Sequence, residues 1–132
     1  MILDTNAYSA LARGVPAITE LVNNTSGLAL PLPVIAELRY GFAKGSQTER
    51  NEQLLQRFLA QPQISVATPT LQTTKHYAEL QLLCQQKGKA LSQNDIWIAA
   101  LARETDKTLV TFDQDFAVFT EDFGNKLIIL AA

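Results

Sequence analysis

The sequence has 132 residues, of which 47% are hydrophobic and 18% are charged, and its formal net charge is −2. This length suits one domain with a single core, spanning residues 1–132, and the ordinary hydrophobic fraction excludes a disordered or fibrous chain. The small negative charge disfavours a strongly basic protein that binds nucleic acid indiscriminately.

Short apolar runs alternate along the chain with longer stretches whose apolar residues recur three and four positions apart. The predicted strands are MIL at residues 1–3, GLALP at 27–31, ISVA at 64–67, TLVT at 108–111 and KLIIL at 126–130. The predicted helices occupy residues 8–14, 16–24, 33–45, 49–61, 70–88 and 94–106. This alternation predicts an α/β fold in which helices connect the strands of a mainly parallel sheet.

Residues typical of helix ends support these boundaries. Two pairs have the spacing of a capping box, Ser46 with Glu49 and Ser92 with Asp95. Prolines stand where helices are expected to begin and glycines where they are expected to end, namely Pro16, Pro33 and Pro69, and Gly14, Gly45 and Gly88.

Four acidic residues stand at the ends of predicted strands or the beginnings of predicted helices. Asp4, Asp95 and Asp113 each have a structural explanation, because an acid at a helix N-terminus can accept hydrogen bonds from backbone N–H groups. Glu37 is harder to explain in this way, because Pro33, Val34, Tyr40 and Gly41 would be its helical neighbours and predict a mostly apolar face.

The four acids are more informative together. Asp4 and Asp113 directly follow strands, and the carboxyl ends of parallel strands share one edge of the sheet. Glu37 and Asp95 reach the same edge if their strands are neighbours. Converging carboxylates repel one another unless a cation lies among them, and ligands that offer only oxygen select Mg²⁺ or Mn²⁺. Such an ion can activate water for hydrolysis of a phosphodiester.

Other chemistries have less support. A glycosidase uses two carboxylates and would leave the others unexplained. His76 is the sole histidine, in a helical pattern, and no G-x-S-x-G, Walker A or G-x-G-x-x-G sequence occurs. Cys84 is the single cysteine and is expected to pack in a core. Because a single cysteine cannot form an internal disulfide, we expect a cytoplasmic protein. Asp4 interrupts the first apolar run before it reaches signal-peptide length, and no run approaches ~20 apolar residues, so we expect neither a signal peptide nor a membrane span.

Four segments in this order, LDTN, AEL, NDIWIAA and LVTFDQDF, resemble the motifs of PIN-domain ribonucleases, specifically the VapC-type toxins of bacterial toxin–antitoxin pairs. The resemblance spans nearly the whole chain. It implies an α/β/α sandwich with a short, mainly parallel central sheet surrounded by helices, and endoribonuclease activity that depends on Mg²⁺ or Mn²⁺.

The resemblance also implies roles for individual residues. Asp4, Glu37, Asp95 and Asp113 correspond to the catalytic acids of the family, with Asp4, Asp95 and Asp113 as direct metal ligands and Glu37 acting through water. The polar residues expected to orient these carboxylates are Thr5, Asn6 and Thr111. Asp115 is an alternative to Asp113, which we prefer because it is nearer the strand end, and Asp122 is expected to be surface charge.

The resemblance further implies a homodimer that a small antitoxin inhibits, with an antitoxin arginine in the acidic cavity. An apolar groove for the antitoxin, or the core, would contain Tyr8, Leu11, Tyr40 and Phe42. The candidates for contacts with RNA phosphates, or for solvated helix ends, are Arg13, Arg39, Lys44, Lys87 and Lys89.

Three functions therefore remain open. The leading one is a ribonuclease toxin that cuts cellular RNA, for example a structured RNA such as tRNA. A second is a PIN-like nuclease that acts on DNA, or in RNA processing outside a toxin–antitoxin pair. A third is a binding module without turnover, in which the acids are only helix caps.

Overall fold

The computed structural model describes residues 1–131, which form one parallel sheet covered by helices. The strands are β1 (Ile2–Leu3), β2 (Leu28–Pro31), β3 (Ile64–Ala67), β4 (Leu109–Thr111) and β5 (Leu127–Ile129). The helices are α1 (Thr5–Ala12), α2 (Pro16–Asn23), α3 (Leu32–Lys44), α4 (Thr48–Leu59), α5 (Leu71–Gln86), α6 (Gln93–Glu104) and α7 (Thr120–Phe123). Two 3₁₀ segments, Gln114–Phe119 and Gly124–Lys126, flank α7. The predicted α/β class and all five predicted strands are confirmed.

The strand order is β3-β2-β1-β4-β5, and every neighbouring pair is parallel. In the centre of the sheet Ile2 pairs with both Ala29 and Leu109. All residues of β1, β2 and β4 are buried, as expected for parallel strands with helices on both faces. Because β1 and β4 are neighbours, the residues that follow them meet at one edge of the sheet, which we call the carboxyl edge.

Helix α6 packs mainly against α5 and α3, and its buried positions are small or aliphatic. Ala99, Ala100 and Ala102 are fully buried together with Ile98, and the aromatic ring of Trp97 contacts Tyr77 of α5 with centroids 4.5 Å apart. A helix that is apolar around most of its circumference has to lie in the interior. This burial brings the first turn of α6 to the carboxyl edge.

The helices differ from the predictions at several places, and α7 with its two flanking 3₁₀ segments has no predicted counterpart. Helix α1 begins at Thr5, three residues before the apolar pattern, and Asp4 caps it, as its position after β1 predicted. The predicted Ser46 capping box is wrong, since α4 begins at Thr48 without a side-chain cap. Instead, the Thr48 hydroxyl donates a 2.5 Å hydrogen bond to the carbonyl of Phe42 in α3. No helix within residues 1–131 combines the length and the apolarity needed to cross a bilayer.

Candidate active site

Asp4 lies between β1 and α1 and is the most buried acid at the carboxyl edge, with 3% of its surface exposed. Its Oδ1 accepts a 2.9 Å hydrogen bond from the backbone N–H of Ala7, which makes it the cap of α1. Its Oδ2 accepts a 2.5 Å hydrogen bond from the hydroxyl of Thr111 at the end of β4. Asp4 is therefore a helix cap whose carboxylate is also fixed to the neighbouring strand.

The pKa of Asp4 is raised from 3.8 to about 6, mainly because burial removes the carboxylate from water. The hydrogen bonds from Thr111 and Ala7 lower the pKa, whereas the negative charges of Asp95 and Asp113 raise it further. Asp4, Asp95 and Asp113 therefore lie near enough to repel one another electrostatically.

Asp95 lies in the first turn of α6 and is half-buried. Its backbone N–H donates a 3.1 Å hydrogen bond to Ser92 Oγ, so Ser92 caps this helix as its spacing predicted. Burial is the main cause that raises the pKa of the Asp95 carboxyl, and the charges of Glu37, Asp113 and Asp115 add to it. Asp95 thus faces the acids contributed by α3 and by the segment after β4.

Glu37 is exposed, so the predicted apolar surroundings of this residue are wrong. Two of its helical neighbours, Tyr40 and Gly41, are themselves exposed. The Glu37 carboxylate is held by a 2.7 Å hydrogen bond from Thr5 Oγ1 and a 3.1 Å hydrogen bond from Asn94 Nδ2. The first turns of α1 and α6 therefore position the Glu37 carboxylate of α3.

The segment after β4 supplies two more acids. Asp113 is half-buried, and its N–H donates to Thr111 Oγ1 at 2.9 Å while its Oδ1 caps the 3₁₀ segment by accepting from Asp115 N–H at 2.9 Å. Asp115 is exposed and forms a 2.7 Å ion pair with Lys89. Asp113 is thus linked to Asp4 through Thr111, whereas the Asp115 carboxylate is paired with Lys89.

Two of the three predicted orienting residues contact the acids, and the third does not. Thr5 and Thr111 bind carboxylates, whereas the exposed Asn6 side chain donates to no carboxylate within residues 1–131. Adjacent helical residues point about 100° apart, so Thr5 and Asn6 cannot both face Glu37. The residue that we missed is Asn94, which also donates to the carbonyl of Pro33 at 3.2 Å. Its signal in the sequence was its place two residues after the Ser92 cap.

The donors at this edge fit a hard divalent cation by their chemistry, since they are carboxylate oxygens around a buried acid whose pKa is raised. No three Asp, Glu, His or Cys side chains of the described chain are arranged to hold a metal ion directly as they stand. Mg²⁺ usually retains several waters and needs only one or two carboxylates. We call Asp4, Glu37, Asp95 and Asp113 the acidic cluster.

A parallel α/β fold with acids at the carboxyl edge is the arrangement of a PIN domain, and the family model described as PIN domain matches residues 1–121. The chain belongs to the PIN-domain family. Ribonuclease VapC2 of Rickettsia felis is 34% identical over 92 residues, which cover 70% of this chain and 67% of that protein. Ribonuclease VapC2 of Haemophilus influenzae is 29% identical over 129 residues, covering 92% of this chain and 96% of that protein.

A solved structure of VapBC2 from Rickettsia felis, bound to a DNA fragment from its promoter, contains a chain that is 28% identical with a TM-score of 0.77, covering 98% of this chain and 96% of that one. VapBC-1 from nontypeable Haemophilus influenzae has a chain with a TM-score of 0.80 at 24% identity and the same coverage, which supports the fold. The resemblance to VapC-type proteins that the motifs indicated is confirmed.

Proposed function

We propose that this protein is a metal-dependent endoribonuclease and the toxin of a toxin–antitoxin pair. The observation that carries the proposal is the convergence of Asp4, Asp95 and Asp113, whose charges act on one another at the carboxyl edge. The relatives named ribonuclease VapC support RNA as the substrate.

Asp4, Asp95 and Asp113 would hold Mg²⁺ or Mn²⁺, with Glu37 contributing through water. The ion, when bound, would lower the pKa of a water ligand and neutralise charge on the phosphodiester that is cut. Thr111 keeps Asp4 Oδ2 in a fixed orientation, and Thr5 with Asn94 does the same for Glu37. The exposed Glu37 carboxylate can accept a hydrogen bond from water at the site.

A negatively charged RNA strand needs a cation near these acids, and Lys89 is the best candidate. Its ammonium group pairs with Asp115, and the hydrogen bond to Asp115 raises the pKa of Lys89, with smaller contributions from the charges of Asp115 and Asp113. Two other candidates are engaged elsewhere, since Arg39 pairs with Glu52 at 2.8 Å and Lys87 donates to the carbonyl of Val118 at 3.3 Å. Exchange of Asp115 for an RNA phosphate would leave Lys89 paired throughout.

The test compares Asp4→Asn and Asp95→Asn with Asp122→Asn, a control on α7 beside Arg103. One labelled sequence is supplied as RNA and as DNA, with Mn²⁺ or with EDTA. We expect the parent and the control to cut RNA only with the metal and both site variants to be inactive. Cleavage by either site variant at the parental rate would contradict the mechanism, and preferred cleavage of DNA would favour the second function.

A binding module without turnover is the second candidate, because Asp4 and Asp113 are indeed caps. This function predicts no affinity for divalent cations. Titration calorimetry with Mn²⁺ separates the two functions. A nuclease should bind the ion, and the Asp4→Asn variant should no longer bind it.

We further propose an antitoxin partner, a homodimer and a cytoplasmic location. The solved relatives include VapBC complexes and a member of the VapBC family of toxin–antitoxin systems from Mycobacterium tuberculosis.

Between α1 and α4 lies a shallow cavity of about 230 Å³, lined partly by Tyr8, Leu11 and Leu54. Of the other two predicted groove residues, Tyr40 is 65% exposed beneath Lys44, and Phe42 is half-buried. Co-purification with the product of an adjacent small gene tests the antitoxin complex. Light scattering on the toxin alone measures its mass and tests the homodimer.

A further inference from the structure

A second cavity, of about 320 Å³, is lined by residues close in sequence to members of the acidic cluster and is not used by the proposed chemistry. Its volume is at the lower end of the range for small-molecule sites. Three of its lining residues lie on one face of α1, and Arg13, which directly follows α1, continues this stripe. Val15 and Phe112 complete the lining, which consists of Asn6, Ser9, Ala10, Arg13, Val15 and Phe112.

The cavity is joined to the acidic cluster through the backbone. Phe112 stands between Thr111, which binds Asp4, and Asp113, which belongs to the cluster. Asn6 comes two residues after Asp4. A strand bound across the acidic cluster would therefore reach this cavity with a neighbouring nucleotide.

The groups around the cavity match the parts of a nucleotide. Phe112 offers a half-buried aromatic ring, and Ala10 and Val15 add apolar surface. The exposed side chains of Asn6 and Arg13 form no hydrogen bond or ion pair with the rest of residues 1–131. An amide can bond the edge of a base, and a guanidinium binds phosphate. An apolar side chain of a protein partner would leave both groups unpaired.

We propose that this cavity binds one unpaired nucleobase of the RNA, next to the bond that is cut. Phe112 stacks on the base, Asn6 contacts its edge, and Arg13 binds the adjoining phosphate. RNA is read mainly through splayed, unpaired bases that stack on aromatic side chains. This inference rests on the proposed ribonuclease function, and it predicts a base preference at one position flanking the cut.

The experiment uses two readouts and a matched pair of variants. Phe112→Leu removes the ring but retains apolar volume, whereas Phe112→Tyr retains the ring. An RNA pool with randomised bases is cut in Mn²⁺, and the product ends are sequenced. Separately, binding of a fluorescein-labelled heptaribonucleotide is measured in EDTA, where the parent should not cut.

We expect the parent and Phe112→Tyr to show the same base preference at one flanking position. Phe112→Leu should lose that preference and bind about tenfold more weakly, the size of one stacking contact. Arg13→Ala should weaken binding whatever the base and reduce the salt dependence of log K by about 0.7, as expected for one phosphate on a single strand. Ser9→Phe, which fills the cavity from a half-buried position, supplies the same test if Phe112→Leu does not fold.

An unchanged base preference in Phe112→Leu or Ser9→Phe, with binding within twofold of the parent, would overturn the inference. So would variants that keep parental RNA binding but no longer bind an antitoxin, since the cavity would then serve a protein. If the parent binds the oligonucleotide but cuts no RNA, the proposed function fails, while the binding comparison still tests the cavity.

Discussion

Replacing Asp4 with asparagine should stabilise the metal-free protein at neutral pH while abolishing cleavage. Asp4 is buried, and its pKa is raised from 3.8 to about 6. Its charged form is therefore less favourable in the folded protein than in the unfolded chain. Asparagine has nearly the same shape but no charge to bury.

The magnitude follows from the difference in pKa between the two states. About 2 pKa units, from 3.8 to about 6, correspond to about 3 kcal/mol at 1.36 kcal/mol per unit. Between these pH values the folded state binds more protons than the unfolded state, so the free energy of unfolding falls as pH rises. Burial of the Asp4 charge therefore lowers the free energy of unfolding of the parent by the full amount above pH ~6 and has no effect below pH ~4.

The hydrogen bonds that Thr111 and Ala7 donate to the carboxylate are already included in this pKa, so the expected gain falls below the limit only as far as the amide fits the site less well. The new amide can still donate to Thr111 Oγ1, and the remaining oxygen can still accept from Ala7 N–H. We expect a net stabilisation of about 1–2 kcal/mol at pH 7.5.

Urea unfolding in EDTA, from pH 4 to pH 8, measures this difference. Trp97 is the only tryptophan and contacts Tyr77, so its fluorescence reports unfolding of α6. Glu20→Gln, which removes an exposed carboxylate on α2, is the control and should change the free energy of unfolding little at any pH. An Asp4→Asn protein no more stable than the parent at pH 7.5, or one whose advantage persists at pH 4, would refute the reasoning.

Three further outcomes are expected. Thr111→Val removes a hydrogen bond that favours the charged form of Asp4, so the pKa of Asp4 should rise and the pH–rate profile should move to higher pH; an unmoved profile would contradict this. Lys89→Ala should reduce the slope of log K against log salt for single-stranded RNA by about 0.7 relative to the control Lys126→Ala; equal slopes would exclude a phosphate contact. Asn94→Ala removes a hydrogen bond that positions Glu37, and calorimetry should find that the affinity for Mn²⁺ falls by up to about tenfold; unchanged affinity would assign Asn94 a structural role only.

The fold was predictable because its signals are local and strong. Parallel strands buried on both faces appear in the sequence as short continuous apolar runs, and β1, β2 and β4 follow this rule. The caps Asp4 and Ser92 were predictable from spacing, since a cap bonds the backbone only three residues away. The cap at Ser46 was not, because packing of α3 against Thr48 determines where α4 begins.

By itself, the sequence determined the α/β class and the family and identified four acids as candidates, because these depend on periodicity and on motifs within a few residues. Only the tertiary structure decided which neighbours hold those acids. Asn94 binds Glu37 across 57 positions, and Thr111 binds Asp4 across 107. The tertiary structure likewise decided that Lys89 pairs with Asp115 and that Phe112 lines one cavity with the stripe on α1. Side-chain contacts between distant segments depend on strand order and helix rotation, which no local pattern specifies.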